Sequence, residues 1–239
     1  MNFEKAFNFP FEDKEWLNKL GLGTLISMVP ILNLAWSGYL VGIIRNVMNQ
    51  EMELLPTWDD LDKKFREGLI LFAAGLIYVS PVLIALGLPL GISVLSSLSS
   101  GNNNIQDLGE IGWALVFGML CVFLLYGLML SILYPVILIM FSREGTLVSC
   151  FKLRDVFKMI RSNTGAFFTA WGLSIVTSLG VGLLAGFVNM VVGFVPCIGW
   201  IVGLIMSLGS GVYITAVHAH LFGQFGRVAF ASDALERMA

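Results

Sequence analysis

From Ser162 to Gly226 the chain carries no Asp, Glu, Lys or Arg. Soluble domains carry roughly a quarter charged residues, so a run of this length without one constrains the fold severely. Over all 239 residues only 13% are charged and 57% are hydrophobic, with a mean hydropathy of +0.84. A helix crossing the hydrocarbon core needs about 20 apolar residues, and the charge-free run is long enough for a pair. The expected fold is therefore an all-α membrane protein. The whole chain, 1–239, reads as one integral membrane domain whose direct partner is the lipid bilayer. A net charge of −2 and the lack of an aromatic-rich basic patch give no sign of nucleic-acid binding.

Four long apolar stretches stand out at 69–97, 111–141, 165–189 and 199–222, with a fifth apolar region at 20–48 interrupted by Pro30 and Asn33. The turn at Ser99–Glu110 has no Lys or Arg, nor has Val195–Trp200. Arg45, Lys63, Lys64 and Arg66 precede the stretch at 69, while Arg143, Lys152, Arg154, Lys158 and Arg161 separate 111–141 from 165–189. Cytoplasmic loops accumulate Lys and Arg. The loops at 49–67 and 142–164 and the C-terminus are thus expected on the inside of a cell membrane, the turns without Lys or Arg outside. Lys5, Lys14 and Lys19 favour an inside N-terminus as well. A single span at 20–48 would break that parity, whereas a hairpin turning at Val29–Asn33 would keep it. Each arm of such a hairpin has about 14 residues, or about 21 Å, so it would enter the core without crossing and pack against protein. Met1–Trp16 mixes acidic and basic residues and does not read as a cleavable signal peptide. Cys121, Cys150 and Cys197 lie far apart and read as small apolar side chains.

The turn VPILN at 29–33 recurs as VPCIG at 195–199. Charged segments with an apolar stripe also precede each apolar pair: Glu12–Leu20, Thr57–Leu69 and Leu153–Arg161. Such stripes suit helices lying in the interface plane, and Thr57 with Asp60 three residues on resembles an N-cap. Two readings follow: three repeats of interfacial helix plus hairpin, or the amphipathic linkers common to multi-spanning proteins.

Trp16, Lys19, Pro30, Asn33, Gly38-Tyr39, Arg45, Leu55-Pro56-x-Trp58-Asp59-Asp60, Phe65 and Gly68-Leu69 occur in this order, and His220-Leu221-Phe222-Gly223-Gln224 with Arg227 follows near the end. This pattern resembles the uncharacterised prokaryotic membrane family known as domain of unknown function 4013, over roughly 10–230. The resemblance departs at Phe222 and Phe225, where Tyr and Ala are expected. It implies a multi-helix bacterial or archaeal membrane protein, as in a cell inner membrane, and no activity.

Constellations that could carry chemistry have plain structural alternatives. The four clear stretches hold no ionisable Asp, Glu, Lys or Arg, which speaks against a proton-coupled pump or an intramembrane aspartyl protease. His218 and His220 stand two apart and so point to different sides of a helix, unlike an i, i+4 metal pair. With Gln224 they are expected to make interfacial hydrogen bonds or headgroup contacts. Ser210 lies about 12 Å along a helix from His218 and reads as a packing residue. Glycine pairs four apart, Gly38/Gly42, Gly87/Gly91, Gly182/Gly186 and Gly199/Gly203, allow close helix approach, within the chain or towards partner subunits. Pro81, Pro89 and Pro135 are expected to kink their spans. Asp59 and Asp60, beside Trp58, could bind a cation or simply favour a helix start. No cofactor, metal or catalytic set is expected. Two functions remain: a scaffold, assembly or accessory subunit of a larger membrane complex, and a transporter or channel for small solutes or lipids. The second requires Asn33, Tyr39, Tyr78, Ser80, Tyr126, Tyr134, Thr177, Asn189 and Tyr213 to line one cavity.

Overall fold

The computed structural model describes residues 2–100, 107–195 and 198–238. Residues 101–106 of the turn expected at 99–110 lie outside them, as do Pro196 and Cys197. Among the described residues every element is helical. In order they are α1 (Phe3–Glu12), α2 (Trp16–Met28), α3 (Asn33–Asn49), α4 (Leu61–Ser100), α5 (Asp107–Glu144), a short 3-10 helix (Leu147–Phe151), α6 (Leu153–Ser162), α7 (Thr164–Val192) and α8 (Ile198–Met238). Among the described residues, four segments are long and apolar enough to cross a membrane: Leu61–Ala85, Leu120–Glu144, Thr164–Val192 and Gly199–Ala234. They overlap the four apolar stretches of the sequence. α4 and α5 run through Pro81, Pro89 and Pro135 without a break.

The chain divides into two compact units, 1–72 with 135–239, and 73–134. In the larger unit α8 is the central element and packs against α1, α2, α3 and α7. Its buried residues gather toward one end of the spans: Ile43, Ile44 and Val47 of α3, Ile139 and Phe141 of α5, Phe167 of α7, and Leu221 and Phe225 of α8. Phe167 anchors this core, with the Phe225 ring edge-on at 5.5 Å. The opposite halves of the same helices are apolar and bare, with Leu183 at 74% and Trp200 at 82% exposed. Continuous apolar surface of that kind has no place in water and suits lipid. In the smaller unit the Tyr126 hydroxyl donates to the Tyr78 carbonyl, tying α5 to α4.

The apolar region at 20–48 is a hairpin. α2 and α3 have 13 and 17 residues, about 20 and 26 Å at 1.5 Å per residue, and both pack against α8. The VPILN and VPCIG turns share their backbone bonding. Val29 N donates to Ile26 O at 3.2 Å and Asn33 N to Val29 O at 2.9 Å; correspondingly, Val195 N donates to Val192 O at 3.0 Å and Gly199 N to Val195 O at 2.9 Å. The two turns are thus bounded by matching backbone bonds at their described residues.

Two expected interfacial helices take another form. Glu12–Leu20 is split, because the Asp13 carboxylate accepts from Glu15 N at 2.8 Å and closes a local turn that competes with the helix. Thr57–Leu69 is not a separate helix, nor is Thr57 its cap. Residues 55–60 stay outside the helix, consistent with the extended bias before Pro56, and α4 begins at Leu61, with Asp60 O accepting from Lys64 N at 3.1 Å. No breaker follows, so the amphipathic turns merge into the span. The third segment does form, as α6, with Val156 buried and Leu153 and Phe157 left exposed.

Candidate functional site

Part of the resemblance pattern, Lys19, Tyr39 and Leu55-Pro56-x-Trp58, folds into one cluster. α3 ends where Gln50 adopts φ 58° and its N–H returns to Asn46 O and Val47 O. The chain then doubles back, held by the Asn46 side-chain amide donating to Glu53 O at 3.2 Å. This brings Leu55 into the core and lays Pro56 on Gly42, where a Cβ would come within 2.7 Å of the proline ring. Trp58 then enters a stack with Tyr39, at 4.5 Å between centroids, and Trp36, at 6.3 Å. The indole N–H of Trp58 donates to Lys19 O at 2.8 Å. Gly23 leaves room for both indoles.

Lys19, only 5% exposed, is the ionic pin of this cluster. Its Nζ donates to Asp13 Oδ2 at 2.6 Å and to Leu55 O at 3.2 Å, joining α2 to the start of its own hairpin and to the returning segment. Arg45 plays the same part on the other side of α3. It donates to Ser142 O at the end of α5 and to Glu67 Oε1 in α4, both at 3.0 Å. Buried charges require such pairing. Asp59 and Asp60 stay exposed in the turn before α4 and do not join the stack. Among the described residues no cluster of three His, Cys, Asp or Glu side chains could hold a metal.

The histidines separate as their spacing requires, and each hydrogen-bonds within the protein. His220 is buried against α1, its ring stacked on Phe9 at 4.4 Å. Its Nδ1 lies 3.1 Å from Gln224 Nε2. The Gln224 amide also clamps the backbone of Asn2, accepting from its N–H at 2.7 Å and donating to its carbonyl at 2.8 Å. Because Nε2 of Gln224 can only donate, Nδ1 of His220 is the acceptor. His218 turns to α7, where Nε2 lies 2.9 Å from Ser174 O and 3.2 Å from Ser178 Oγ. A carbonyl can only accept, so that nitrogen carries the proton and cannot serve as a base for Ser178. The Ser178 hydroxyl donates to Ser174 O at 3.0 Å. Ser210 bonds Ser207 O of its own helix.

The glycine pairs divide by surroundings. At Gly38 a Cβ would overlap the Lys64 backbone, and at Gly68 the Leu34 backbone, so α3 and the first turns of α4 touch through reciprocal glycines. Gly199 abuts the Val192 carbonyl, and a Cβ on Gly203 would lie 3.0 Å from Asn189 Oδ1. Around Gly182 and Gly186 a Cβ meets nothing within 4 Å among the described residues beyond its own helix backbone.

Cys150 is fully buried beside the basic connection, and burial pushes its thiol up to about 11. Two cavities of about 470 Å³ open on the larger unit. One lies around Lys5, Glu12, Asp13 and Glu53, the other between the end of α5, α6 and the end of α8. Sequence reasoning singled out none of the second cavity's lining as a site. The signal available was charged residues placed in the last turns of several spans at once.

Residues 22–190 match the sequence model of the family described as protein of unknown function (DUF4013). The match is narrower than the expected 10–230: Trp16 and Lys19 precede it, and the His220–Gln224 block follows it. No curated protein and no solved structure matches the sequence.

Proposed function

The chain belongs to the DUF4013 family of proteins of unknown function, and we propose that it serves as a non-catalytic scaffold or accessory subunit of a larger membrane assembly. The observation that carries this reading is the face of α7 around Gly182 and Gly186. The two glycines share one side of the helix, both are exposed, and side chains added there would meet nothing within 4 Å. Small residues at this spacing let a second helix approach closely in lipid. The other glycine pairs of the larger unit already perform that task internally, which leaves this one for a partner.

The transporter alternative has less support. Several of the polar groups it needs are engaged locally, Ser80 with Ile77 O, Thr177 with Leu173 O, Tyr213 with Phe7 O and the Asn189 amide nitrogen with Ser207, whereas Tyr39 Oη and Asn189 Oδ1 are buried without a partner among the described residues. Neither cavity described above includes any of them.

The test is site-specific photocrosslinking from position 183 or 187 of α7 in native membranes, followed by sizing in mild detergent. A discrete crosslinked species, lost on Gly182→Leu and Gly186→Leu while helicity is kept, is expected. Recovery only as a free monomer would refute the reading, and solute flux in proteoliposomes of the purified chain would favour transport. In the orientation we favour, the basic connections and both termini face the cytoplasm. A cysteine introduced at Asn103 should then react with an impermeant reagent on intact cells, and protection there would reverse the topology.

A further inference from the structure

The cavity between α5, α6 and α8 lies where three spans end. Arg143 and Glu144 end α5, Asn163 immediately precedes α7, and Phe230 and Asp233 lie near the end of α8. In a bilayer this is the headgroup layer. Met140, Met159 and Phe230 supply its apolar lining. Its volume, about 470 Å³, exceeds that of a phosphate-amine headgroup.

Three of the five charges among the described lining residues are paired, one of them with a residue outside the lining. Lys158 binds Asp233 at 2.8 Å and so joins α6 to α8, while Glu144 binds Lys152 at 2.7 Å. Two groups are left. Arg143 lies over the Phe230 ring, 4.3 Å from its centroid, and its five N–H donors have no acceptor among the described residues. The Asp155 carboxylate likewise has no donor among them. Among the described residues one unpaired cation and one unpaired anion share the cavity, and the described lining holds two cations, Arg143 and Lys158, against three carboxylates, Glu144, Asp155 and Asp233. That balance disfavours a lipid with only negative charge.

We propose that this cavity seats the headgroup of a phospholipid bearing a primary ammonium, of the phosphatidylethanolamine class. The Arg143 guanidinium takes the phosphate, for which its planar fork is suited. The Asp155 carboxylate takes the ammonium, whose N–H groups a trimethylated headgroup lacks. This inference rests on the membrane reading and not on the accessory role.

The test is native mass spectrometry of the full chain in detergent with phosphatidylethanolamine, phosphatidylcholine or phosphatidylglycerol of matched acyl chains. Phosphatidylethanolamine should be retained about tenfold more tightly than either of the others, a difference of about 1.4 kcal/mol. Arg143→Gln should lower that retention about tenfold, and Asp155→Asn should abolish the preference over phosphatidylcholine. Arg154→Gln, an exposed residue of α6 outside the cavity, should change neither. Equal retention of the three lipids by the unmodified chain would overturn the proposal whatever the variants do. Displacement of the lipid by equimolar soluble phosphoethanolamine would overturn it too, by assigning the site to a free phosphate ligand.

Discussion

Replacing Gly38 by Ala tests whether the helix contact behind the aromatic stack holds the larger unit together. The new methyl would fall on the Lys64 carbonyl and main chain, well inside the 3.0 Å below which real Cβ contacts essentially never occur. The obstacle is backbone within α4, so no rotamer change relieves it. α3 and α4 must part by roughly 1–2 Å to restore carbon contacts near 3.5 Å. Overpacking of this kind costs about 1–3 kcal/mol and occasionally more. Moving α3 would also disturb Tyr39 between Trp36 and Trp58, where each aromatic pair is worth roughly 0.5–1.5 kcal/mol, as well as the Arg45–Glu67 bond. A loss of about 3 kcal/mol or more is expected. The control is Gly21→Ala in α2, where a Cβ meets nothing within 4 Å and the better helix propensity of Ala is worth about 0.5–1 kcal/mol. Unfolding in mixed micelles, followed by tryptophan fluorescence and circular dichroism, should place Gly38→Ala below the parent and Gly21→Ala at or above it. The double variant Gly38→Ala/Gly68→Ala should lose less than the sum, since helices already parted accept the second methyl more easily. If Gly38→Ala and Gly21→Ala unfold together, the close contact of α3 with α4 is wrong.

Other outcomes follow from the pins of the larger unit. Lys19→Met should cost about 3–5 kcal/mol by stranding the Asp13 carboxylate, and adding Asp13→Asn should return part of it in the same unfolding assay; no recovery would mean that the pair is not coupled. Gln224→Ala removes both bonds to Asn2 and the donor to His220, a loss of about 1–3 kcal/mol. It should raise hydrogen exchange in α1 selectively, and unchanged exchange at residues 3–12 would refute the clamp. Cys150, whose thiol is raised from an ordinary 9.0 to about 11, should resist maleimide at neutral pH in the folded chain and react once it is unfolded. Because the unfolded thiol ionises first, this residue's contribution to stability should fall as pH rises from about 9 to about 11. A Cys150→Ala variant should lack that component of the pH dependence.

Much of the architecture is written locally. The charge-free run from Ser162 to Gly226 demands membrane helices because apolar length and charge are properties of each segment alone. The Pro30–Asn33 interruption and its echo at 195–199 likewise mark reversals, since a turn is set by a few neighbouring residues. α6 was legible for the same reason: its apolar stripe needs no distant partner to be recognised. The places where segments meet were not legible. Nothing near Gln224 indicates that its amide closes on Asn2, 222 residues away, nor that His218 would find Ser174 rather than water. The four glycine pairs look alike in sequence, yet Gly38 meets a backbone while Gly182 and Gly186 meet nothing, because only the packing decides which helix face is covered. Thr57 carries a helix-start pattern, but the tryptophan beside it is drawn to Lys19 O and the helix begins four residues later. Local chemistry thus settled what the chain is made of and where it belongs. Long-range packing decided which polar groups are spent inside the protein, and which, like Arg143 and Asp155, are left over for a ligand.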